Sequence, residues 1–337
     1  MSLRSFIKLV GNHRLSAFPG VNALFKPFYK LSYIAAAKEC GLLDKLRAAP
    51  MEFDRIAEAY CKGAKAREAL AAWLQMGVRL GYLKAGPGGY ELKGLAKKLS
   101  LPPNDAALAL AQEVAGLHYK LISHTPEKLR RGELWSLYDQ DGELIARSSR
   151  VMEEFQKEAI DRYFPVSGAV SLLEIGCGSG VYIEHAAARN PALTAVGLEL
   201  QPNVADVACR NIQEWGLGDR VRIEAGDIRE RPPGELFDMV TLYNNVYYFP
   251  VAERVSLLVH AKCFIKPGGF LLLTTCCQGG SLGVEALNLW GAATADCGRL
   301  PGVEEMQNQL REAGYKDVEA VSLIPGERFY AFKAHKG

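Results

Sequence analysis

The hydrophobic rhythm of the chain changes near its middle. Through residues 28–46, 53–60 and 66–80 apolar positions recur every three or four residues, the spacing of helices with one buried face. Gly41 is a local break in the first stretch, and Leu70, Trp73, Leu74 and Val78 share one face of the third. Residues 81–84, a Gly-Pro-Gly-Gly turn at 86–89 and Tyr90-Glu91-Leu92 then read as a two-stranded hairpin. Helical patterns return at 105–122, 126–137 and 144–163. Beyond residue 170 short apolar and β-branched runs take over, at 172–175, 194–198, 221–226, 237–242 and 270–276, at intervals that suit one crossover helix each. A helix over 304–313 and strands over 317–323 and 329–333 follow. The pattern predicts an α/β protein in three regions: a mainly helical 1–103, a helical connector 104–165 and a parallel-sheet domain 166–337.

Composition narrows the class. Of 337 residues 49% are hydrophobic and 23% charged, ordinary for a soluble globular protein, and the length suits two domains. No apolar run approaches the ~20 residues that span a bilayer. Arg4, Lys8, His13 and Arg14 are scattered through the first 18 residues, which leaves no signal-peptide core, so a cytoplasmic location is expected. The eight cysteines contain no C-x-x-C pair, so no disulfide framework and no metal site are expected. Charge is uneven despite a total of +2: residues 1–150 hold 23 Lys and Arg against 14 Asp and Glu, and residues 151–337 hold 17 against 24. A basic half beside an acidic half suits either nucleic-acid contact or mutual attraction of the halves or of two copies.

The most informative segment is Leu172-Leu173-Glu174-Ile175-Gly176-Cys177-Gly178-Ser179-Gly180. A buried strand ends in an acid and a glycine at every second position. Residues without Cβ let the chain turn sharply and let a ligand lie against the main chain at a helix N-terminus. The dinucleotide fingerprint spaces its third glycine three places after the second; here the gap is two. Glu199 stands where a second strand would end, Asp227-Ile228 follow the third, and Tyr243-Asn244-Asn245-Val246-Tyr247-Tyr248-Phe249 follow the fourth, the edge at which open α/β sheets bind ligands.

Glu174, Gly176, Gly178 and Gly180 resemble the E/D-x-G-x-G-x-G motif of class I S-adenosylmethionine (SAM) methyltransferases, a resemblance that covers roughly residues 150–335. It implies a Rossmann-like seven-stranded sheet with one antiparallel hairpin strand, and SAM as co-substrate. It implies that Glu199 takes the ribose hydroxyls, that Asp227 takes the adenine amino group, and that Ile228, Leu200 and Tyr243 border the same ligand. The amino-terminal layout, with Gly41-Leu42-Leu43-Asp44 and Leu80-Gly81-Tyr82-Leu83, is similar to the winged-helix dimerisation domain of small-molecule O-methyltransferases, which implies a homodimer. The helix that would enter a DNA groove offers few base-reading donors at Ala71, Ala72 and Gln75, and the turn at 86–89 has no basic residue. A SAM-sensing winged-helix regulator is the alternative of another class.

In the resembling O-methyltransferases a histidine shortly after the fourth strand, in a His-Asp-Trp setting, serves as base. This chain has Tyr247-Tyr248-Phe249 there. A phenol of ordinary pKa, near ~10, is a poor base at pH 7, whereas a positioned base contributes on the order of 10² to 10⁴ in rate. Three readings stay open: a base from elsewhere, with His118 and His124 as candidates; an acceptor such as a thioether that needs none; or retained binding without transfer. Asn244 and Tyr247 are the candidate catalytic residues. Tyr138, Arg147, Ser148 and Arg150, in the connector that lines the acceptor pocket of the resembling family, are candidates for the small-molecule acceptor, although the arginines equally suit salt bridges. The two-domain plan also looks like that of bacterial enzymes that S-methylate 4-methylthio-2-hydroxybutyrate in dimethylsulfoniopropionate synthesis.

Overall fold

A computed structural model describes residues 14–337. The helical region begins with α1 (Arg14–Glu39), and Gly41, the expected local break within 28–46, takes a left-handed φ of 79° between it and the next helix. After α2 (Leu42–Ala48) come α3 (Phe53–Tyr60) and α4 (Ala64–Leu80), then β1 (Leu83–Gly86) and β2 (Gly89–Leu92) as an antiparallel hairpin. Met51 adds a third short rung by exchanging both backbone hydrogen bonds with Tyr90. Tyr33, Ile34, Leu42, Leu43, Ile56, Leu74 and Leu83 form the core of this region, the periodic apolar positions of its helices turned inward.

Three more helices follow: α5 (Gly94–Leu99), α6 (Asp105–Glu113), which runs through a π-helical turn at Val114–His118, and α7 (Tyr119–Arg130). Then come α8 (Gly142–Ser148) and α9 (Glu153–Tyr163). The expected connector 104–165 is not a separate piece. The described residues up to Tyr119 together with Asp141–Val151 form one compact unit, and Lys120–Gln140 with Met152–Gly337 form the other. The physical reason is local. Arg147 closes a two-point ion pair on Asp105, at 2.8 and 2.6 Å, inside the first unit. In the second, Trp135 exchanges backbone hydrogen bonds with Ala293 and Ala295, each 2.8 Å.

The second unit is built on a sheet whose order is β5-β4-β3-β6-β7-β9-β8. Its elements are β3 (Val170–Ile175), α10 (Val181–Arg189), β4 (Leu193–Glu199), α11 (Pro202–Glu214), β5 (Val221–Ala225), β6 (Phe237–Tyr243), α12 (Arg254–Cys263), β7 (Ile265–Cys276), α13 (Leu282–Ala293), α14 (Val303–Glu312), β8 (Tyr315–Ser322) and β9 (Phe329–Lys336). Strands β3 to β7 are parallel, and β9 runs antiparallel to both β7 and β8. Leu172, Met239 and Leu272 face α9, α10 and α11 on one side, while Leu173, Val240 and Leu271 face α12 and α14 on the other. Strands buried on both faces explain the near-continuous apolar runs of the sequence. The order reverses between β3 and β6, and such a switch point opens a crevice at the carboxyl ends of the strands.

Candidate active site

At that switch point β3 delivers Glu174, only 1% exposed, into the sheet's last turn before the glycine loop. Gly176, Gly178 and Gly180 all have positive φ, at 70°, 55° and 83°. The loop is fixed from below: Gly176 and Cys177 both donate to the carbonyl of Leu198, at 2.7 and 3.1 Å. Gly180 then starts α10, whose N-terminus faces the crevice. Glu199 closes the loop from β4, accepting from the Gly178 N–H through Oε2 and the Gln201 N–H through Oε1, each 3.0 Å. A carboxylate has about four acceptor positions, so both oxygens keep capacity for hydroxyl donors.

After β6 the backbone of Asn244 is left-handed, φ 50°, and its N–H donates to Thr274 of β7 at 2.6 Å. Thr274 is tied in turn to Gln156 of α9 by a 2.5 Å side-chain hydrogen bond. Asn245 donates Nδ2 to the carbonyl of Ile175 at 2.7 Å. Tyr247 is buried with its ring 4.7 Å from that of Tyr248. Tyr243 is buried edge-on to Tyr182, and burial first, then the Glu174 carboxylate, push its hydroxyl pKa up. Burial likewise pushes Glu174 well above the usual carboxylate range, with Glu199 adding to it.

Among the buried polar atoms here without a hydrogen-bond partner are the Tyr243 hydroxyl and three acceptor oxygens, Glu174 Oε1, Asn244 Oδ1 and Asn245 Oδ1. Buried polar atoms normally find a partner, and three acceptors at the ends of β3 and β6 suit a ligand that donates. The α-ammonium of SAM is such a group, and the ribose hydroxyls suit Glu199. These acceptors therefore fit SAM, which when bound supplies an electrophilic methyl carbon.

The remaining sequence candidates are placed as follows. Asp227 follows β5 and opens into a cavity of ≈ 410 Å³ that Leu198, Gly226 and Arg231 also line. Its carboxylate is held by Arg229, and although burial works against it, those hydrogen bonds keep it below the usual range. Ile228 is buried among Leu173, Ile175 and Leu198 and shows little surface to a ligand, whereas Leu200 is half-exposed at the rim. Ser148 is buried and donates to Ile145 O within its own helix. Arg147 carries the Asp105 pair, Arg150 sits in the turn after α8, and Tyr138 is 97% exposed in the other unit. His118 is mostly buried with Nε2 3.0 Å from Glu113, while His124 is exposed. Burial pushes the Cys276 and Cys277 thiols up to about 12. Among the described residues no group of three or more His, Cys, Asp or Glu could hold a metal ion, and no helix is long and apolar enough to cross a membrane.

One residue escaped sequence reasoning. Arg254, fully buried at the start of α12, donates to the carbonyls of Phe249 at 3.3 Å and Arg299 at 2.5 Å. It ties the segment after β6 to the segment after α13. Burial lowers its pKa to about 10. Nothing in the local pattern distinguishes it from a surface arginine.

Comparison with known proteins bears on the same residues. Residues 172–269 match the family model described as a methyltransferase domain. The chain is 26% identical over 188 residues to the demethylspheroidene O-methyltransferase of Rhodobacter capsulatus, an alignment covering 54% of this chain and 46% of that protein. It spans about half the length of the demethylspheroidene O-methyltransferases it matches. Among solved structures it is similar to the mitomycin 7-O-methyltransferase MmcR, with a TM-score of 0.79, 20% identity, and coverage of 97% of this chain and 100% of that one. It is also similar to PigF with SAH, with a TM-score of 0.76, 19% identity and coverage of 94% and 99%. Residues 172–269 thus match a methyltransferase domain, and the chain has the fold of these solved methyltransferase structures.

Proposed function

We propose that this chain is an enzyme that moves the methyl group of SAM to a heteroatom of a small-molecule metabolite, with a hydroxyl oxygen as the first choice of acceptor. The observation that carries the reading is the cluster of unpartnered acceptors on Glu174, Asn244 and Asn245 beside a glycine loop fixed by Glu199. The reaction is an in-line displacement, for which the chain's task is to hold the acceptor against the methyl carbon and keep water out. Asn244 and Tyr247, at the carboxyl end of β6, are the residues proposed to meet the acceptor. Arg147 and Ser148 are already engaged in the first unit, which weakens their case.

Tyr247 in place of a histidine favours a second reading, transfer to a thioether sulfur such as that of 4-methylthio-2-hydroxybutyrate, because no proton has to leave. Calorimetry with S-adenosylhomocysteine (SAH), followed by labelled SAM with a panel of phenols, thioethers and amines, tests both. Label on phenols alone removes the sulfur reading. Absence of heat with SAH removes both.

We further propose a cytoplasmic homodimer with no nucleic-acid or membrane partner. Helix α1 leaves Leu24, Phe25, Phe28 and Tyr29 exposed along one side, and the turn between β1 and β2 carries no positive charge to grip phosphate. A duplex-DNA mobility shift at physiological salt separates this from the regulator: binding there would favour the regulator.

A further inference from the structure

Asp227 is not waiting empty-handed. Its Oδ1 accepts from the backbone N–H of Arg229 at 2.9 Å and from Nε at 3.1 Å, and its Oδ2 accepts from Nε at 2.9 Å and Nη2 at 2.6 Å. The guanidinium thus covers both oxygens of a carboxylate that is itself mostly buried and lines the cavity at the end of β5. The same guanidinium has two further partners in reach. Nη1 lies 3.7 Å from Glu253 Oε2, and Cζ stands 5.6 Å from the centre of the Phe249 ring. Arg229 therefore spans the gap between the segment after β5 and the segment after β6, and it is half-exposed, with room to move.

We infer that Arg229 is a latch on the cofactor site: it occupies Asp227 in the free protein, and the amino group of adenine must displace it onto Glu253 and the Phe249 ring. The inference rests on the proposed use of SAM and deepens it, since it names the residue that sets cofactor affinity. The charge arithmetic supports it. A guanidinium donates to both carboxylate oxygens in its bidentate grip, and an aromatic amine cannot match that unless the cation has another acceptor to go to. Glu253 supplies the charge and Phe249 the ring face.

Calorimetric titration of SAH into the purified full chain tests this. Arg229→Ala is expected to tighten SAH binding about threefold, the scale of a partly exposed ion pair that no longer competes. Arg229→Lys, which keeps the charge and loses the bidentate grip, is expected to fall between the two. Glu253→Gln is expected to weaken SAH about threefold in the wild-type background and to have no effect in Arg229→Ala, a non-additivity that a merely structural role would not produce. Unchanged or weaker SAH binding in Arg229→Ala, or an equal effect of Glu253→Gln in both backgrounds, overturns the latch while leaving the cofactor reading intact. No SAH binding to the wild type overturns both.

Discussion

Asn245 donates its side-chain amide to the carbonyl of Ile175, and the same nitrogen fills the space that a side chain on Gly176 would require. One asparagine thus fastens the end of β6 to the end of β3 and enforces a glycine at the head of the loop. Gly176→Ala meets two penalties, the collision and a φ of +70° that costs roughly 1 kcal/mol or more in any residue with a Cβ. SAH affinity is expected to drop about tenfold or more. Asn245→Ala in the Gly176→Ala background removes the collision and leaves the backbone strain, so thermal melts should show partial recovery of stability, while SAH affinity stays low because the Asn245 acceptor is gone.

Glu174 is neutral-favouring in the folded chain and ordinary in the unfolded one, because burial and then Glu199 raise its pKa. The native state then holds more protons than the unfolded state above about pH 4.5, and stability contributed at low pH is lost as pH rises. Glu174→Gln is expected to raise the Tm of the ligand-free chain at pH 7 to 8 by roughly 2 to 4 °C, about 1 kcal/mol. It should also weaken SAH binding, since one of the two acceptor oxygens proposed to meet the ammonium becomes a donating amide. Thermal melts with and without SAH across pH 5 to 8 measure both arms.

Arg147 and Asp105 are each partly exposed, so their ion pair is worth no more than about 1 kcal/mol. Arg147→Ala is expected to lower Tm by about 1 to 3 °C and to leave SAH affinity unchanged. A large rise in acceptor KM at constant kcat would instead return Arg147 to the acceptor pocket.

The site divides by how its signals are encoded. The sheet was legible because strands buried on both faces write uninterrupted apolar runs, and the glycine loop because only glycine tolerates three positive φ values in five residues. Residues 221–226 and 237–242 were each within one residue of the observed strands. The helices around residue 120 were not legible. Periodicity predicts one helix over 105–122 and another over 126–137, but a π-helical turn at Val114–His118 lets the chain continue to Arg130, with Pro126 inside a helix rather than at its start. Contacts made at long range left no trace at all. Nothing in the spacing of Asn245 or Arg254 tells that one clamps a strand end and the other joins two loops.

The exposed side of α1 carries the dimer proposal. Leu24, Phe25, Phe28 and Tyr29 are all more than 40% exposed, a spacing of one, three and one that keeps them on one helical face. Leu24→Asp with Phe28→Asp should convert a dimer to a monomer in light scattering while circular dichroism stays unchanged. A monomeric wild type at micromolar concentration would remove the proposal.

Tyr247 decides how the rate should depend on pH. It is buried against Tyr248 and occupies the segment where a histidine base would be placed. Without an imidazole there, a phenolic acceptor reacts through its own phenolate, whose fraction rises tenfold per pH unit below its pKa of about 10. For a phenol, log(kcat/KM) is therefore expected to climb with unit slope from pH 6 to 9, and Tyr247→Phe should leave that slope intact. A thioether has no proton to lose and should give a flat profile over the same range. An inflection near pH 6.5 would contradict both expectations and assign the proton to a histidine.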